Sequence, residues 1–361
     1  MKRSFRRAIV PGIAALGLVL TACGGDAEGD GLEGAEDLSG EIAGAGSSAQ
    51  GAAMEAWIAG FSEAAPDVTV TYDPIGSGGG REQFTTGGVD FGGSDAYLEE
   101  EEVEAANETC GGGFVEFPAY ISPIAVAYNL PGVESLNLSA SVIAQIFDGK
   151  ITTWNDPAIA DLNEGADLPG DKITTVHRSD ESGTTENFAD YLAKAAPDDW
   201  PYEVDGNWPA KGGVASAQTQ GVAQSLTSTE GSIGYIDASQ AGGLGVANVQ
   251  VGETFVEYSP EASAAAVDAA TPVDGSAEHS YAIDLPRDTT EEGVYPIVLV
   301  SYQMACTQYD DANTADIVKA YFSYIVSEEG QAAAAEYAGS APISDSLRED
   351  AQASIDAITG G

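Results

Sequence analysis

Hydrophobic and polar positions along the chain follow two alternating periods from about residue 41 onward. In the segment 49–66, Met54, Trp57, Ile58 and Phe61 recur at helical spacing, whereas Val68–Tyr72 alternates with the period of two that a strand shows. Further strand patterns occur at 89–95, 121–130, 172–180, 232–236 and 295–305. Further helix patterns occur at 76–86, 97–108, 139–149, 182–195, 213–226, 314–338 and 344–358. Strands that alternate with helices predict an α/β protein with mainly parallel sheets covered by helices.

The length of this α/β region predicts two lobes. Roughly 320 residues follow residue 40, and a chain of this length usually forms more than a single hydrophobic core. Strands near Phe117–Ser122 and Val294–Val298 each begin with an aromatic residue followed by Pro, which is tolerated at a strand start. We expect these strands to form a two-stranded hinge, with lobe I at 41–118 and 294–361 and lobe II at 119–293.

The amino-terminal segment carries an export signal. Four basic residues in the first seven positions precede the apolar run Ala8–Leu20, which is too short to span a bilayer. This pattern predicts a signal peptide at 1–22. Leu20-Thr21-Ala22-Cys23 resembles the bacterial lipobox, so Cys23 is the predicted lipidation site, anchoring the exported chain to the outer face of the cytoplasmic membrane. Residues 23–40, Gly-rich and acidic, are predicted to be a flexible tether.

The charge balance excludes one class of partner and constrains another. The chain has 58 acidic and 13 basic residues, and the signal peptide accounts for four of the basic ones. Nucleic acid is excluded as a partner because it requires clustered Lys and Arg. An anionic ligand would have to be held by local dipoles and charges, since salt screens the wider field beyond about 8–10 Å.

The cysteines suggest a disulfide and leave a metal site as the weaker alternative. Cys110 and Cys306 remain in an exported chain, where an oxidising environment favours pairing. Neither His177 nor His279 is at metal-ligand spacing from a Cys. We therefore expect no metal site and no cofactor.

Four short segments place Gly and Ser or Thr where a strand gives way to a helix. A helix N-terminus presents unpaired N–H groups and a partial positive charge, and small residues allow an oxyanion to approach the backbone. Each segment alone is as well explained by a routine helix cap or turn; together they indicate a site for a tetrahedral oxyanion. The segments are Gly44–Ser48, Gly76–Gly80, Gly92–Asp95 and Arg178–Thr184.

Two charged residues refine this hypothesis. Arg178 can grip two oxygens with its planar guanidinium, with Asp180 as an orienting or merely structural ion-pair partner. Asp95 would repel an anion unless the ligand carries a proton. Phosphate carries one near pH 7 and sulfate does not, so Asp95 would favour phosphate; otherwise it only caps a loop.

In this order and behind a lipobox, GAGSS, GSGGG, VDFGGSD and RSDESGTT resemble the phosphate-binding component of the high-affinity phosphate ABC transporter. FPAYISPIAVAYN, IFDGKITTWNDPAI and GSIGYI are similar to segments of that family too, so the resemblance extends from about Glu41 to the end. The acidic composition and the cysteine positions resemble an actinobacterial version. The resemblance implies a two-lobed periplasmic-binding-protein fold of type II-like architecture, with inorganic phosphate as ligand and an ABC permease and ATPase as partners.

The family also implies particular site residues. Asp180 would orient Arg178 in lobe II, and two positions depart from the family pattern. Ser48-Ala49 replaces Thr and an aromatic residue, and Glu181 replaces Gly, which adds an acid near the site. The implied phosphate ligands are Ser48, the amide of Ala49, Ser77 and Asp95 in lobe I, and Arg178, Ser182, Gly183 and Thr184 in lobe II.

Three other functions remain open. A phosphatase-type hydrolase would need a metal cluster or a nucleophile and base, and Ser182-Gly183 lacks the G-x-S-x-G context, so we expect no enzyme. A binder of sulfate, molybdate or tungstate should lack an acid such as Asp95. A cell-surface adhesin could keep the same fold, because fold alone does not fix function.

Overall fold

A computed structural model describes residue 32 and residues 34–361 of the chain. The predicted signal peptide and the predicted lipidation site at Cys23 lie outside these residues. Among the described residues, no helix has the length and hydropathy needed to cross a bilayer.

The described helices alternate with strands through most of the chain, as the sequence pattern predicts. The last ones, α9 to α11, follow the final long strand of the chain. In chain order the helices are α1 Gly51–Ala64, α2 Ser77–Thr85, α3 Glu100–Cys110, α4 Ala140–Phe147, α5 Pro157–Ala160, α6 Gly183–Ala195, α7 Gln218–Ser228, α8 Pro260–Asp268, α9 Ala312–Val326, α10 Glu328–Ala338 and α11 Asp345–Asp356.

The described strands include eight that follow one another across the main sheet and several short ones at its margins. In chain order they are β1 Gly40–Gly46, β2 Val68–Asp73, β3 Phe91–Ser94, β4 Phe114–Asn129, β5 Asn137–Leu138, β6 Thr174–Arg178, β7 Val214–Ser216, β8 Ser232–Asp237, β9 Gly245–Val246, β10 Asn248–Val251, β11 Thr254–Val256, β12 Thr271–Pro272, β13 His279–Ser280, β14 Ile283–Asp284, β15 Val298–Cys306, β16 Gln308–Tyr309 and β17 Thr359–Gly360.

The main sheet has the strand order β2-β1-β3-β15-β4-β8-β6-β7. Pairing is parallel within each end, among β1, β2 and β3 and among β6, β7 and β8, and antiparallel where β15 and β8 flank β4. Strand β4 is long enough to serve both ends: residues 114–123 pair with β15 and residues 124–129 pair with β8. We call the part built on β1–β3 the first lobe and the part built on β6–β8 the second lobe. This architecture confirms the predicted α/β fold class.

The segment predicted as the second hinge strand begins later than expected. Strand β15 starts at Val298 rather than near Val294, because Pro296 has no N–H to donate to a neighbouring strand. The first ladder contact at this point is the N–H of Ile124, which donates to the carbonyl of Ile297 at 2.7 Å. The exact lobe boundaries, 41–118 with 294–361 and 119–293, stay a prediction.

Ordered structure starts before residue 41, inside the predicted tether. Residues Ala35–Asp37 form a short 3₁₀ helix whose Ala35 is buried in the core. Asn313 donates to the carbonyl of Ser39 at 3.0 Å, and β1 begins at Gly40. Apolar burial and backbone pairing therefore hold the last part of the tether segment against the first lobe.

Two predicted helices are interrupted or shortened, one at a serine and the other at a glycine. The pattern at 314–338 forms α9 and α10, separated at Ser327, whose hydroxyl donates to the carbonyl of Tyr324 at 2.7 Å and accepts the N–H of Gly330 at 3.0 Å. These bonds end one helix and cap the next. The pattern at 213–226 contains strand β7 before α7, since Gly213, at φ 79°, turns the chain into register with β6.

The predicted disulfide is present. Cys110 ends α3 and is bonded to Cys306, the last residue of β15, with 5.1 Å between their Cα atoms. The bond fastens a peripheral helix to the central sheet of the first lobe. This pairing confirms the disulfide interpretation of the two cysteines.

Candidate functional site

The four predicted segments meet at one edge of the main sheet, between the lobes. Because β1 and β3 are parallel neighbours, their carboxyl ends place Ser47–Ala49 and Asp95 side by side. Gly46 allows this approach, since a Cβ on it would lie 1.8 Å from the carbonyl oxygen of Gly93. The carboxyl end of β6 brings Arg178 to the same edge from the second lobe.

Asp95 lies at the centre of this cluster and is 3% exposed. Its carboxylate accepts hydrogen bonds from the Ser301 hydroxyl at 2.7 Å and the Thr184 hydroxyl at 3.2 Å. Burial raises the pKa of Asp95, although hydrogen bonds from Ser47 and Ser301, the charge of Arg178 and the Thr184 hydrogen bond act in the opposite direction. The carboxyl therefore holds a proton more readily than a solvated Asp.

Arg178 is buried and held by Asp180. Its Nε donates to Asp180 Oδ1 at 2.8 Å and its Nη2 donates to Asp180 Oδ2, which leaves Nη1 outside the ion pair. Burial alone would raise the pKa of Asp180, but the hydrogen bond and charge of Arg178 outweigh it and the pKa is lowered. Asp180 is therefore held as a carboxylate beside the guanidinium, and its role as an orienting residue stays a prediction.

Helix α6 presents its N-terminus to the first lobe. Ser182 is its N-cap, with a hydroxyl that accepts the N–H of Thr185 at 3.3 Å. Gly183 is in close contact across the gap, because a Cβ on it would lie 2.7 Å from Asp95 Cβ and 2.9 Å from Ser77 Oγ. The first amides of α6 therefore lie beside Asp95 and Ser77, where an oxyanion could accept from them.

The remaining predicted residues lie at the same place but already have partners. The Ser77 hydroxyl accepts the N–H of Asp95 at 3.1 Å. The Ala49 N–H donates to the Ser47 hydroxyl at 3.1 Å, so it would have to exchange that bond for one to an anion. The Ser48 hydroxyl accepts the N–H of Thr219 at 3.1 Å from the second lobe.

Glu181 does not place an uncompensated charge in the site. Its carboxylate accepts a hydrogen bond from Arg81 Nη2 at 2.7 Å, so a guanidinium of the first lobe, which also pairs with Glu102, compensates part of its charge. Glu181 departs from the family pattern and adds an acid near the site. Arg81, which is not one of the predicted ligands, offsets this unfavourable effect.

Sequence reasoning missed several residues that complete the site. Ser301 lies within β15 and Thr219 lies in the first turn of α7, and neither carries a local motif. Gln218, at φ 58°, is the one non-glycine residue with positive φ among those described, and its N–H donates to Asp180 Oδ1 at 3.0 Å. Backbone strain of this kind often marks a functional site, but it is visible only in the fold.

Residues 33–329 match the PBP superfamily domain. The sequence is 34% identical to Phosphate-binding protein PstS2 of Mycobacterium bovis (strain BCG / Pasteur 1173P2), over 99% of this chain and 100% of the relative. The chain belongs to the PstS family of phosphate-binding proteins. This PstS-family chain is also 34% identical to Phosphate-binding protein PstS 3 of Mycobacterium leprae (strain TN), over 96% of the chain and 97% of that protein.

A solved structure agrees with the fold of this PstS-family chain. It is a high-affinity periplasmic phosphate-binding protein, PfluDING, bound with phosphate. The TM-score is 0.69 at 23% sequence identity, and the match covers 87% of this chain and 93% of that one. The likeness supports the two-lobed architecture.

Proposed function

We propose that the chain binds inorganic phosphate between its lobes and delivers it to an ABC-type importer. The observation that carries the proposal is the convergence of Asp95, Arg178 and the N-terminus of α6 on one buried point. These groups offer a guanidinium, helix amides and hydroxyls to the oxygens of a tetrahedral anion, together with one carboxyl that can share a proton.

The proposed ligand set follows the sequence analysis. In the first lobe it comprises Ser48, the Ala49 amide, Ser77 and Asp95. In the second lobe Arg178, Ser182, Gly183 and Thr184 complete it, with Asp180 holding Arg178 in place. A micromolar dissociation constant requires only about −8 kcal/mol, which a handful of charge-assisted hydrogen bonds can supply after ordering costs.

The same proposal makes the chain a binding protein rather than a hydrolase. His177 is the histidine nearest in sequence to the site, and its ring nitrogens lie 2.8 Å from the carbonyl oxygen of Arg178 and 3.1 Å from that of Gly212. Because both nitrogens face backbone carbonyls, the ring is committed to holding the chain and is not positioned to activate a serine.

The partners and location follow from the proposed function. A membrane permease and its ATPase would receive phosphate from the closed protein, and lipidation at Cys23 would keep the protein at the outer face of the membrane. The large negative charge supports neither nucleic acid nor an anionic surface as a further partner.

Isothermal titration of the purified chain with phosphate, arsenate and sulfate at neutral pH tests the proposal. We expect binding of phosphate and arsenate and no detectable binding of sulfate. Arg178→Ala should weaken phosphate binding by about 100-fold or more, because it removes charge-assisted bonds from a buried site.

Arg348→Ala is the matched control for this substitution. Arg348 lies in α11 and forms an ion pair at 3.6 Å with Glu328, away from the four segments. It should leave phosphate affinity unchanged. Absence of phosphate binding by the unmodified chain, or equal effects of the two substitutions, would reject the proposed site.

A further inference from the structure

A buried guanidinium outside the proposed ligand set joins the two lobes beside the anion site. Arg81 lies in α2 of the first lobe, and its side chain is 5% exposed. Nη2 donates to Glu181 Oε1 of the second lobe at 2.7 Å, and Nε donates to Glu102 Oε1 of the first lobe at 2.8 Å. Nη1 donates to Ser94, the residue before Asp95, at 3.2 Å.

We propose that Arg81 is a positioning residue that keeps the lobes closed over bound phosphate by docking Glu181. This inference rests on the proposed function, because it assigns a role in retaining the same ligand. Arg81 would not touch the anion itself.

Arg81 is anchored in the first lobe whether or not the lobes are in contact. Glu102 holds Nε and at the same time accepts the N–H of Glu99 with its other oxygen at 3.0 Å, as part of the capping box of α3. The guanidinium is therefore presented at a fixed place. Opening of the cleft would remove only the contact with Glu181 and leave the contacts with Glu102 and Ser94 in place.

Glu181 is suited to transmit this contact to the ligand. It lies directly between Asp180 and Ser182, so its docking also places Arg178 and the start of α6. Gly78 makes room for it, because a Cβ at that position would lie 2.5 Å from the carboxyl carbon of Glu181. The glycine-rich segment at 76–80 thus accommodates a second-lobe side chain as well as an oxyanion.

A third acid, Glu186, adds to the negative charge around Arg81 when the lobes meet. Glu186 in α6 is half-buried near Arg81, and desolvation raises its pKa to about 7, with Arg81 lowering it and Glu99, Glu102 and Asp205 raising it further. Without Arg81, closure would bring these carboxylates together with no compensating charge. The charge of Arg81 therefore opposes repulsion between the lobes at the point where they close.

A double-mutant cycle with Arg81→Met and Glu181→Gln tests the inference, read by phosphate and arsenate titration and by the dissociation rate of phosphate. We expect Arg81→Met to lower the affinity for phosphate and for arsenate by the same factor, about 10-fold to 100-fold, through faster dissociation. Glu181→Gln should lower both affinities about threefold to tenfold. The double variant should bind the anions no more weakly than Arg81→Met does, because the two residues act as one contact. Glu181 is 46% exposed, so its substitution is not expected to impair folding.

Arg348→Met provides the matched control, since it removes an arginine whose ion pair lies within the carboxyl-terminal helices. Wild-type affinity and dissociation rate in Glu181→Gln, or independent effects that multiply in the double variant, would overturn the role of Arg81. Absence of phosphate binding by the unmodified chain would instead overturn the proposed function, so the two failures are distinguishable.

Discussion

At the scale of single residues, Asp95 combines two properties: it lies where an anion is proposed to bind, and its pKa is raised. Desolvation is the largest cause, and it favours the protonated form. In its ionised form this carboxyl can accept a hydrogen bond from hydrogen phosphate, whereas it repels an anion that carries no proton. Selectivity would then depend on one proton.

Asp95→Asn should therefore relax discrimination against sulfate. An amide carries no charge to repel sulfate and can donate to it, so we expect the ratio of sulfate to phosphate affinity to rise by at least about tenfold. Titration with both anions at pH 7.5 measures this ratio. Glu116→Gln, which neutralises another buried acid of the same lobe, is the control, and persistent exclusion of sulfate by Asp95→Asn would contradict this account of selectivity.

Glu116 is a buried acid with a structural role. It accepts the N–H of Leu98 at 2.8 Å and the hydroxyl of Ser280 at 2.6 Å. Burial raises its pKa from 4.5 to about 7; hydrogen bonds from Ser280 and Leu98 and the charge of Arg81 lower it, and Glu102 raises it. Since the folded state binds this proton more tightly than the unfolded state, the contribution of Glu116 to stability is largest below pH 4.5, falls as the pH rises to 7, and is constant above that.

Glu116→Gln should remove this pH dependence. The amide reproduces the protonated carboxyl, accepting from Leu98 and donating to Ser280, so the variant should exceed the wild type in free energy of unfolding by up to about 3 kcal/mol at pH 8. The advantage should shrink towards pH 5. Urea unfolding of both proteins at pH 5, 6, 7 and 8 measures it, and parallel pH profiles would contradict the assignment.

At the scale of elements, the site depends on where strands end and helices begin. Strands β1, β3 and β6 deliver Ser48, Asp95 and Arg178 to one edge, and α6 points its N-terminus at that edge. The disulfide lies elsewhere: Cys306 is at the far end of β15 from Ser301, the residue that contacts Asp95. The disulfide that stabilises the periphery of the first lobe is thus separate from the residues proposed to bind the ligand.

Replacing both Cys110 and Cys306 by Ser should lower stability without changing affinity. The bond closes a sequence separation of 196 residues, and its loss should cost about 2–5 kcal/mol in free energy of unfolding, mainly by relaxing a constraint on the unfolded chain. Phosphate affinity should stay within about threefold of wild type, because no site residue changes its neighbours. Urea unfolding and titration check the two statements, and a large loss of affinity with unchanged stability would refute them.

At the scale of the whole molecule, the structure is closed. Ser48 contacts Thr219, Asp95 contacts Thr184 and Arg81 contacts Glu181, each pair spanning the two lobes. The chain carries 58 acidic and 13 basic residues. The contacts that close the lobes must therefore overcome electrostatic repulsion between them. Phosphate, which bridges groups of both lobes, would favour the closed form by mass action.

Phosphate should therefore stabilise and compact the protein. At a free concentration 100 times the dissociation constant, the stabilisation should be about 2.7 kcal/mol, seen as a higher melting temperature. Small-angle scattering should show a smaller radius of gyration with phosphate than without it. Sulfate at the same concentration is the control, and an unchanged radius with tight phosphate binding would exclude hinge closure.

The sequence by itself determined the parts of this protein that depend on neighbouring residues. The periods of apolar positions predicted the alternating strands and helices, and the Gly and Ser or Thr residues at strand ends predicted the segments of the site, because capping and close backbone approach are local requirements. It also predicted the pairing of Cys110 with Cys306, because an oxidising environment favours a disulfide in an exported chain.

Only the tertiary structure decided which distant residues meet. Ser301 and Asp95 are 206 positions apart, Ser48 and Thr219 are 171 apart, and Arg81 and Glu181 are 100 apart. No local pattern encodes such contacts, since they arise from the order of strands in the sheet and from the way one lobe lies against the other. The sequence shows which chemical group each residue carries. Which partner that group contacts, and therefore its role, depends on the packing of the whole chain.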